Sequence, residues 1–254
     1  MTVPVVHTDP SVREAVRRGV RNRKLHMVSC RSLDRIERLL HERLIDAIVV
    51  SLRDVPLDGV LRLRTDFPNI PLFAFTAHRP DDGRVVLACD DAGVHVLVAG
   101  VDEPIVGEYV GAQSAAAIRR AELSEAPDLL RLADPLQRRA WEEILARVDT
   151  AVRTSAVAEA LGVSREHLSR EFAAGDAPNL KRVIDLARLA CAAQMLSNPG
   201  YSVGQVAGIL SYSSASHLAG SSARIAGVRP SALAGLGPRG VLHRFRLGRT
   251  RSRL

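Results

Sequence analysis

Two groups of residues have types and spacing that could do chemistry. The first surrounds Ser51. In "AIVVSLRDVPLDG", residues 47–59, an apolar run that reads as a buried strand stops at a small polar residue and breaks into a loop. In an open α/β sheet the carboxyl ends of the strands border the ligand crevice. A carboxylate there would hold a metal or accept a phosphoryl group, but the chain offers Ser51. His7, Thr8 and Asp9 follow a first apolar run, Thr76 closes another in "PLFAFTA", and Asp54 lies three residues beyond Ser51. A hard cation needs several oxygen ligands, usually carboxylates, so Asp9 alone is insufficient and no metal is expected. No Gly-x-Ser-x-Gly elbow surrounds Ser51, which removes the hydrolytic nucleophile. Asp54 as a displaced phosphoacceptor and His7 as a base are the weaker alternatives to a loop acid and a space-filling ring. No cofactor is expected, and the chain does not read as an enzyme.

The second group lies in "SAVAEALGVSREHLSREF", residues 155–172. Val157, Ala160 and Leu161 give a first helix an apolar face, and Gly162 is suited to end it in the left-handed conformation. Ser164 is placed to cap the next helix, with Glu166 in its first turn against the helix dipole. Leu168 and Phe172, four apart, anchor that helix. Helix, glycine turn and helix at this spacing make a helix-turn-helix. In that geometry the exposed side chains near the start of the second helix reach base edges, and capped helix ends hold phosphates. The exposed set is Arg165, Glu166, Ser169 and Arg170. Arg170 is the best candidate for a base contact, with a salt bridge to Glu166 as its alternative. A second unit follows at Tyr201. Val203, Val206, Ala207 and Leu210 form its stripe, and Ser213 and Ser214 are placed to cap a helix presenting Ala215, Ser216 and His217. His217 suits packing or a phosphate better than a base.

The elements that must position these groups divide the chain. Over the first 110 or so residues, β-branched runs at 3–8, 24–30, 46–52, 71–77 and 94–99 alternate with helical stretches such as "SVREAVRRGVR" and "SLDRIERLLHERL". Five strands alternating with helices predict a doubly wound parallel sheet. Residues 119–135 lose the alternation and read as a linker. Beyond them β patterning vanishes, and short helices run to about Leu233, including a long amphipathic one in "KRVIDLARLACAAQML". "GLGPRG", residues 235–240, is expected to break any helix, leaving 237–254 as a disordered basic tail.

Charge is uneven. Residues 1–120 carry 17 basic and 16 acidic side chains, residues 121–238 carry 12 of each, and 239–254 carry six Arg and no acid. The net charge of +7 is therefore nearly all terminal and is a poor argument for nucleic-acid binding by itself. No apolar run approaches the roughly 20 residues of a membrane span. The N-terminal sequence lacks a basic region followed by an apolar one, so a cytoplasmic location is expected. Cys30, Cys89 and Cys191 are odd in number and widely spaced, which suits buried reduced thiols.

From Val157 to Leu233 the chain resembles the AraC/XylS family of transcription regulators. The pieces that carry the resemblance are "LGVSREHLSREF", "RLACAAQML", "SVGQVAGI" and "GVRPSAL". The resemblance implies two helix-turn-helix units joined by one rigid helix, reading successive major-groove faces about 34 Å apart. It departs in the second unit, where the family's Gly-Phe, Arg and second Phe fall on Ser211-Tyr212, Gly220 and Ser222. The first half is similar in layout to a response-regulator receiver. Matched residue by residue, that family's acid pair falls at His7-Thr8, its phosphoacceptor at Ser51, its Thr at Thr76, and its Lys near Gly100 with no Lys nearby. Only Thr76 matches, with Asp9 a neighbouring acid: a degenerate phosphoacceptor site.

These readings divide the chain into a pseudo-receiver at 1–118, a linker at 119–135, a DNA-binding domain at 136–236 and the tail. The expected function is a sequence-specific DNA-binding transcription regulator that works without phosphorylation. Its first domain would serve dimerisation, partner binding or ligand sensing. Expected partners are double-stranded DNA, a second copy through the first domain, and RNA polymerase, with no membrane. The alternative is a protein-interaction regulator that has lost specific DNA reading.

Overall fold

The computed structural model describes residues 1–77, 79 and 82–251. It divides into two compact units, Met1–Ile118 with Asn198–Gly200, and Arg119–Ser197 with Tyr201–Leu254.

In the first unit strands and helices alternate: β1 (Thr2–Val6), α1 (Pro10–Arg21), β2 (His26–Ser29), α2 (Leu33–Glu42), β3 (Ile48–Ser51), α3 (Leu57–Asp66), β4 (Leu72–Thr76), α4 (Gly83–Asp91), β5 (His95–Val98) and α5 (Val106–Gln113). The strands make one parallel sheet in the order β2-β1-β3-β4-β5. β1, β3 and β4 are buried along their whole length, which is why their residues are continuously apolar rather than alternating. Val12, Val16 and Val20 of α1, and Leu33, Ile36, Leu39 and Leu40 of α2, bury the helical stripes. α1 meets α5 where neither can carry a side chain: a Cβ on Gly107 would lie 2.4 Å from the Ala15 carbonyl oxygen. The chain leaves β1 for β2 on one side and reaches β3 on the other. That reversal opens a crevice beyond Val6 and Ser51. α4 and α5 have no strong periodic stripe in sequence, and the structure adds them to the expected alternation.

The second unit is all helical. α6 (Ala115–Glu122) spans the boundary between the units, and α7 (Ala126–Leu129) follows, so the stretch read as a linker contains two helices. Arg119 is 1% exposed and donates to Gln194 Oε1 at 2.5 Å. α8 (Pro135–Ala146) starts in a capping box between Asp134 and Gln137 and buries Trp141. Then come α9 (Thr154–Ala160), α10 (Arg165–Ala173), α11 (Leu180–Leu196), α12 (Val203–Ile209), α13 (Ala215–Ala226) and α14 (Pro230–Arg251).

The tail corrects the sequence reading. Helix continues through residues expected to break it and be disordered, with Gly237 the one residue of non-helical φ and ψ. Glycine tolerates that backbone, and Pro238 suits the first turn of the helical segment that resumes after it. Val241, Leu242 and Phe245 are then buried, and the Arg182 guanidinium of α11 sits 5.1 Å from the Phe245 ring centre. The apolar spacing 241, 242, 245 outweighs the glycines and proline. Residues 252–254 of the expected tail, Arg253 among them, lie outside the described residues.

Candidate functional site

The two helix-turn-helix units share one local design. α9 ends at Leu161, Gly162 turns left-handed at φ 69°, and the Val163 N–H reaches back to the Ala158 carbonyl at 3.0 Å. α12 ends at Leu210, Ser211 turns left-handed at φ 58°, and the Tyr212 N–H reaches back to the Ala207 carbonyl at 2.8 Å. This is the bond pattern that closes helices through a left-handed residue. Each following helix then opens on a serine. The Ser164 hydroxyl accepts from the His167 N–H and the Ser214 hydroxyl from the His217 N–H, both at 3.1 Å. Four residues past each cap a leucine, Leu168 or Leu218, is fully buried. Position for position, then, Arg165, Glu166, Ser169 and Arg170 correspond to Ala215, Ser216, Ala219 and Gly220.

The structure places Ser164, Arg165, Glu166, Ser169 and Arg170 together on the exposed start of α10. Among the described residues Arg170 and Glu166 form no ion pair, so the salt-bridge alternative for Arg170 is not realised. His167, which the sequence reading passed over, is exposed on the same turn, with Nδ1 4.0 Å from Glu171 Oε1. The periodic apolar stripe pointed elsewhere, but its distance from Ser164 equals that of His217 from Ser214. On α9 the buried residues are Val157 and Ala158, while Ala160 is exposed.

On α13, Ser214, Ser216 and His217 are exposed at the helix start. Ser213 is not the cap. Its hydroxyl meets His217 Nδ1 at 3.0 Å, and the His217 ring stands edge-on to Tyr212 at 5.3 Å. Ser222, eight residues past the cap where the first unit has Phe172, is buried and donates to the Val228 carbonyl at 2.8 Å.

α11 holds the second unit firmly. Asn179 caps it by accepting from the Arg182 N–H at 2.9 Å. Seventeen residues give it a length of about 26 Å. Arg188 donates to the Leu210 carbonyl at 2.7 Å and lies 4.1 Å over the Tyr212 ring. Arg224 of α13 pairs with Asp185 at 3.1 Å. Burial pushes the Tyr212 phenol far above its ordinary range, so it stays neutral. On α10, the Glu171 carbonyl accepts from Gln137 of α8 at 2.8 Å.

The crevice of the first unit is a cavity of about 320 Å³ lined by His7, Asp9, Ser51, Arg53, Thr76 and Glu103, among others. Ser51 and Thr76 are each 4% exposed and form its floor. The acids around it are engaged with loop backbone. Asp9 caps α1 by accepting from the Ser11 N–H at 2.7 Å, which holds its carboxyl below the usual range. Asp54 accepts from the Thr8 N–H at 2.8 Å, Asp102 from Val98 at 2.7 Å, and Glu103 from Gly100 at 2.6 Å. Thr76 donates to Asp82 at 3.2 Å. The Ser51 hydroxyl accepts from the Arg53 N–H at 3.3 Å.

His7 packs edge-on to Phe75 at 5.1 Å, and its Nδ1 accepts the Asp9 N–H at 3.1 Å. Burial lowers its pKa, so the ring is neutral and carries its proton on Nε2. Ser51, Thr76 and Asp9 thus meet at one crevice, as the sequence implied. Arg53 and Glu103 join them from the loops after β3 and β5, where nothing in the local pattern marks them. Among the described residues no three His, Cys, Asp or Glu side chains gather as a metal-holding group. Among them, too, no helix is long and apolar enough to cross a membrane.

Residues 157–235 match a family model described as a helix-turn-helix domain. No curated protein matches the chain. Among solved structures, full-length FixJ from B. japonicum matches with a TM-score of 0.38 and 13% identity, over 76% of this chain and 96% of that one.

Proposed function

We propose that the protein is a sequence-specific DNA-binding transcription regulator and not an enzyme. Its first unit serves as a sensing or assembly domain that works without phosphoryl transfer. The observation that carries the reading is the repeated turn and cap, which leave the starts of α10 and α13 exposed on helices anchored to neighbouring elements. Helix starts held this way meet phosphates with their N–H groups and bases with their outward side chains. The match of 157–235 to a helix-turn-helix family supports it. The first unit is a receiver-like fold whose phosphoacceptor position holds a buried serine, and whose neighbouring acids are bonded to backbone. A phosphoryl group therefore has no carboxylate to receive it, and magnesium has no cluster of free oxygens. A cytoplasmic location, assembly through the first unit and contact with RNA polymerase belong to the same reading.

The test is a band shift on genomic fragments. The wild-type chain should retard a specific fragment. Arg170→Ala should weaken that binding roughly 5- to 150-fold, the range for losing one good bidentate base contact. Absence of any retarded band would favour the other role, a regulator acting through protein contacts, which the small side chains Ala215, Ser216 and Gly220 of α13 would suit.

A further inference from the structure

The crevice at Ser51 has a polarity that its lost phosphoacceptor role does not explain. Its floor offers hydrogen-bond donors. The Ser51 hydroxyl accepts from Arg53 N–H and, among the described residues, donates to nothing. His7 lines the cavity with Nδ1 already engaged, leaving an Nε2–H to give. The rim carries both signs of charge. The Arg53 guanidinium is exposed and has no partner among the described residues. Asp9 and Glu103 stand on the opposite loops, each accepting one backbone N–H. A simple anion would meet two carboxylates here, and a simple cation would meet a guanidinium and two donors. A molecule carrying both charges satisfies both sets. The volume, about 320 Å³, lies at the small end of ligand pockets and limits the guest to a few heavy atoms beyond its charged groups.

We propose that this crevice is a non-covalent site for a small zwitterion of the amino-acid class, its carboxylate held by Ser51, His7 and Arg53 and its ammonium by Asp9 and Glu103. The inference rests on the reading of the first unit as a sensing domain and names what it senses. Substituting serine for the acceptor aspartate is the change that permits it. The central negative charge that would repel a carboxylate is gone, and a neutral donor stands in its place.

Isothermal calorimetry on the full chain decides it. The probes are the twenty amino acids singly, then acetate, methylamine, inorganic phosphate and magnesium chloride. One or a few amino acids should bind saturably, and none of the four simple probes should match them. Ser51→Val keeps the side-chain volume and removes the hydroxyl, and Arg53→Gln changes an exposed position. Each should weaken binding by about tenfold or more, the usual cost of losing a hydrogen bond to a charged group. Far-UV circular dichroism checks that both variants fold; if Ser51→Val does not, Ser51→Ala and Arg53→Gln decide. No heat from any amino acid, binding of acetate or phosphate as tight as the best amino acid, or binding unchanged in the folded variants would each overturn the proposal. Band shifts on the same preparations separate the two readings. DNA binding with no amino-acid heat sinks this inference alone, whereas amino-acid binding with no band shift sinks the DNA-binding role.

Discussion

Ser51 illustrates how one residue redirects a site. A carboxylate at the end of β3 would take a phosphoryl group, while a hydroxyl there takes a hydrogen bond from Arg53 N–H and waits for an acceptor. The nearest replacement, Asp54, already accepts the Thr8 N–H and so ties the loop after β3 to the loop after β1. Incubation with acetyl phosphate and magnesium should therefore leave the intact mass unchanged. A gain of one phosphoryl group that disappears in Asp54→Asn would reinstate the displaced acceptor. At this scale the sequence was readable where function follows from local rules. Ser164 before an apolar pair four apart marks a cap, and the exposed Arg165, Glu166, Ser169 and Arg170 follow from helical spacing. It was silent where partners are far apart in sequence: the Thr8–Asp54 bond spans 46 residues, and the arrival of Glu103 opposite Arg53 depends on the sheet order.

The two turns are near-copies with one informative difference. Gly162 and Ser211 both adopt positive φ, which glycine takes without strain and serine does not. A Cβ on Gly162 would meet nothing within 4 Å, so any cost of adding one is backbone strain alone. Gly162→Ala should destabilise the second unit by about 1–2 kcal/mol, and Ser211→Gly should leave it unchanged or gain up to about 1 kcal/mol. Urea unfolding at constant m-value measures both; a Gly162→Ala variant as stable as the parent would mean the turn relaxes out of the left-handed region. Elements with continuous β-branched runs or a clear helical stripe, such as β3 and α2, were legible in sequence. α4 and α5, "GRVVLACDD" and "VGEYVGAQ", lack a clean stripe, since glycines and scattered apolar residues blur it. The tail was misread because two glycines and a proline punctuate it. The burial of Val241, Leu242 and Phe245 restores the helix, and local propensity cannot report burial.

At the scale of the molecule, two consequences separate the units. In the first, His7 and His95 both have pKa values lowered by burial, His95 lying stacked on Phe73 at 4.7 Å. A histidine harder to protonate when folded contributes stability that is complete above its unfolded pKa, near 6.5, and is lost as pH falls through the lower folded value. The first unit should thus weaken as pH drops below about 6.5, and His95→Phe should make its melting temperature less sensitive to pH between 7 and 5. A slope unchanged in both His95→Phe and His7→Phe would assign the acid sensitivity to other groups.

In the second unit, the shared cap register makes the comparison of reading faces direct. Arg170 faces DNA from the step where the other helix has Gly220, and Glu166 from the step where it has Ser216. A bidentate base contact discriminates by about 1–3 kcal/mol, and glycine supplies none. α13 would grip phosphate through its Ser214-capped start while contributing little sequence preference. Ser216→Ala should change operator affinity by less than about 0.5 kcal/mol, as for an ordinary surface position. The preferred DNA should then hold one sharply defined half and, about one helical turn away, a weakly defined one. Selection from a random duplex library reads this out. Randomising the base pairs under α10 should abolish enrichment, and randomising those under α13 should barely reduce it. Two equally sharp halves for a single protomer would mean that His217, freed from Ser213, reads a base after all.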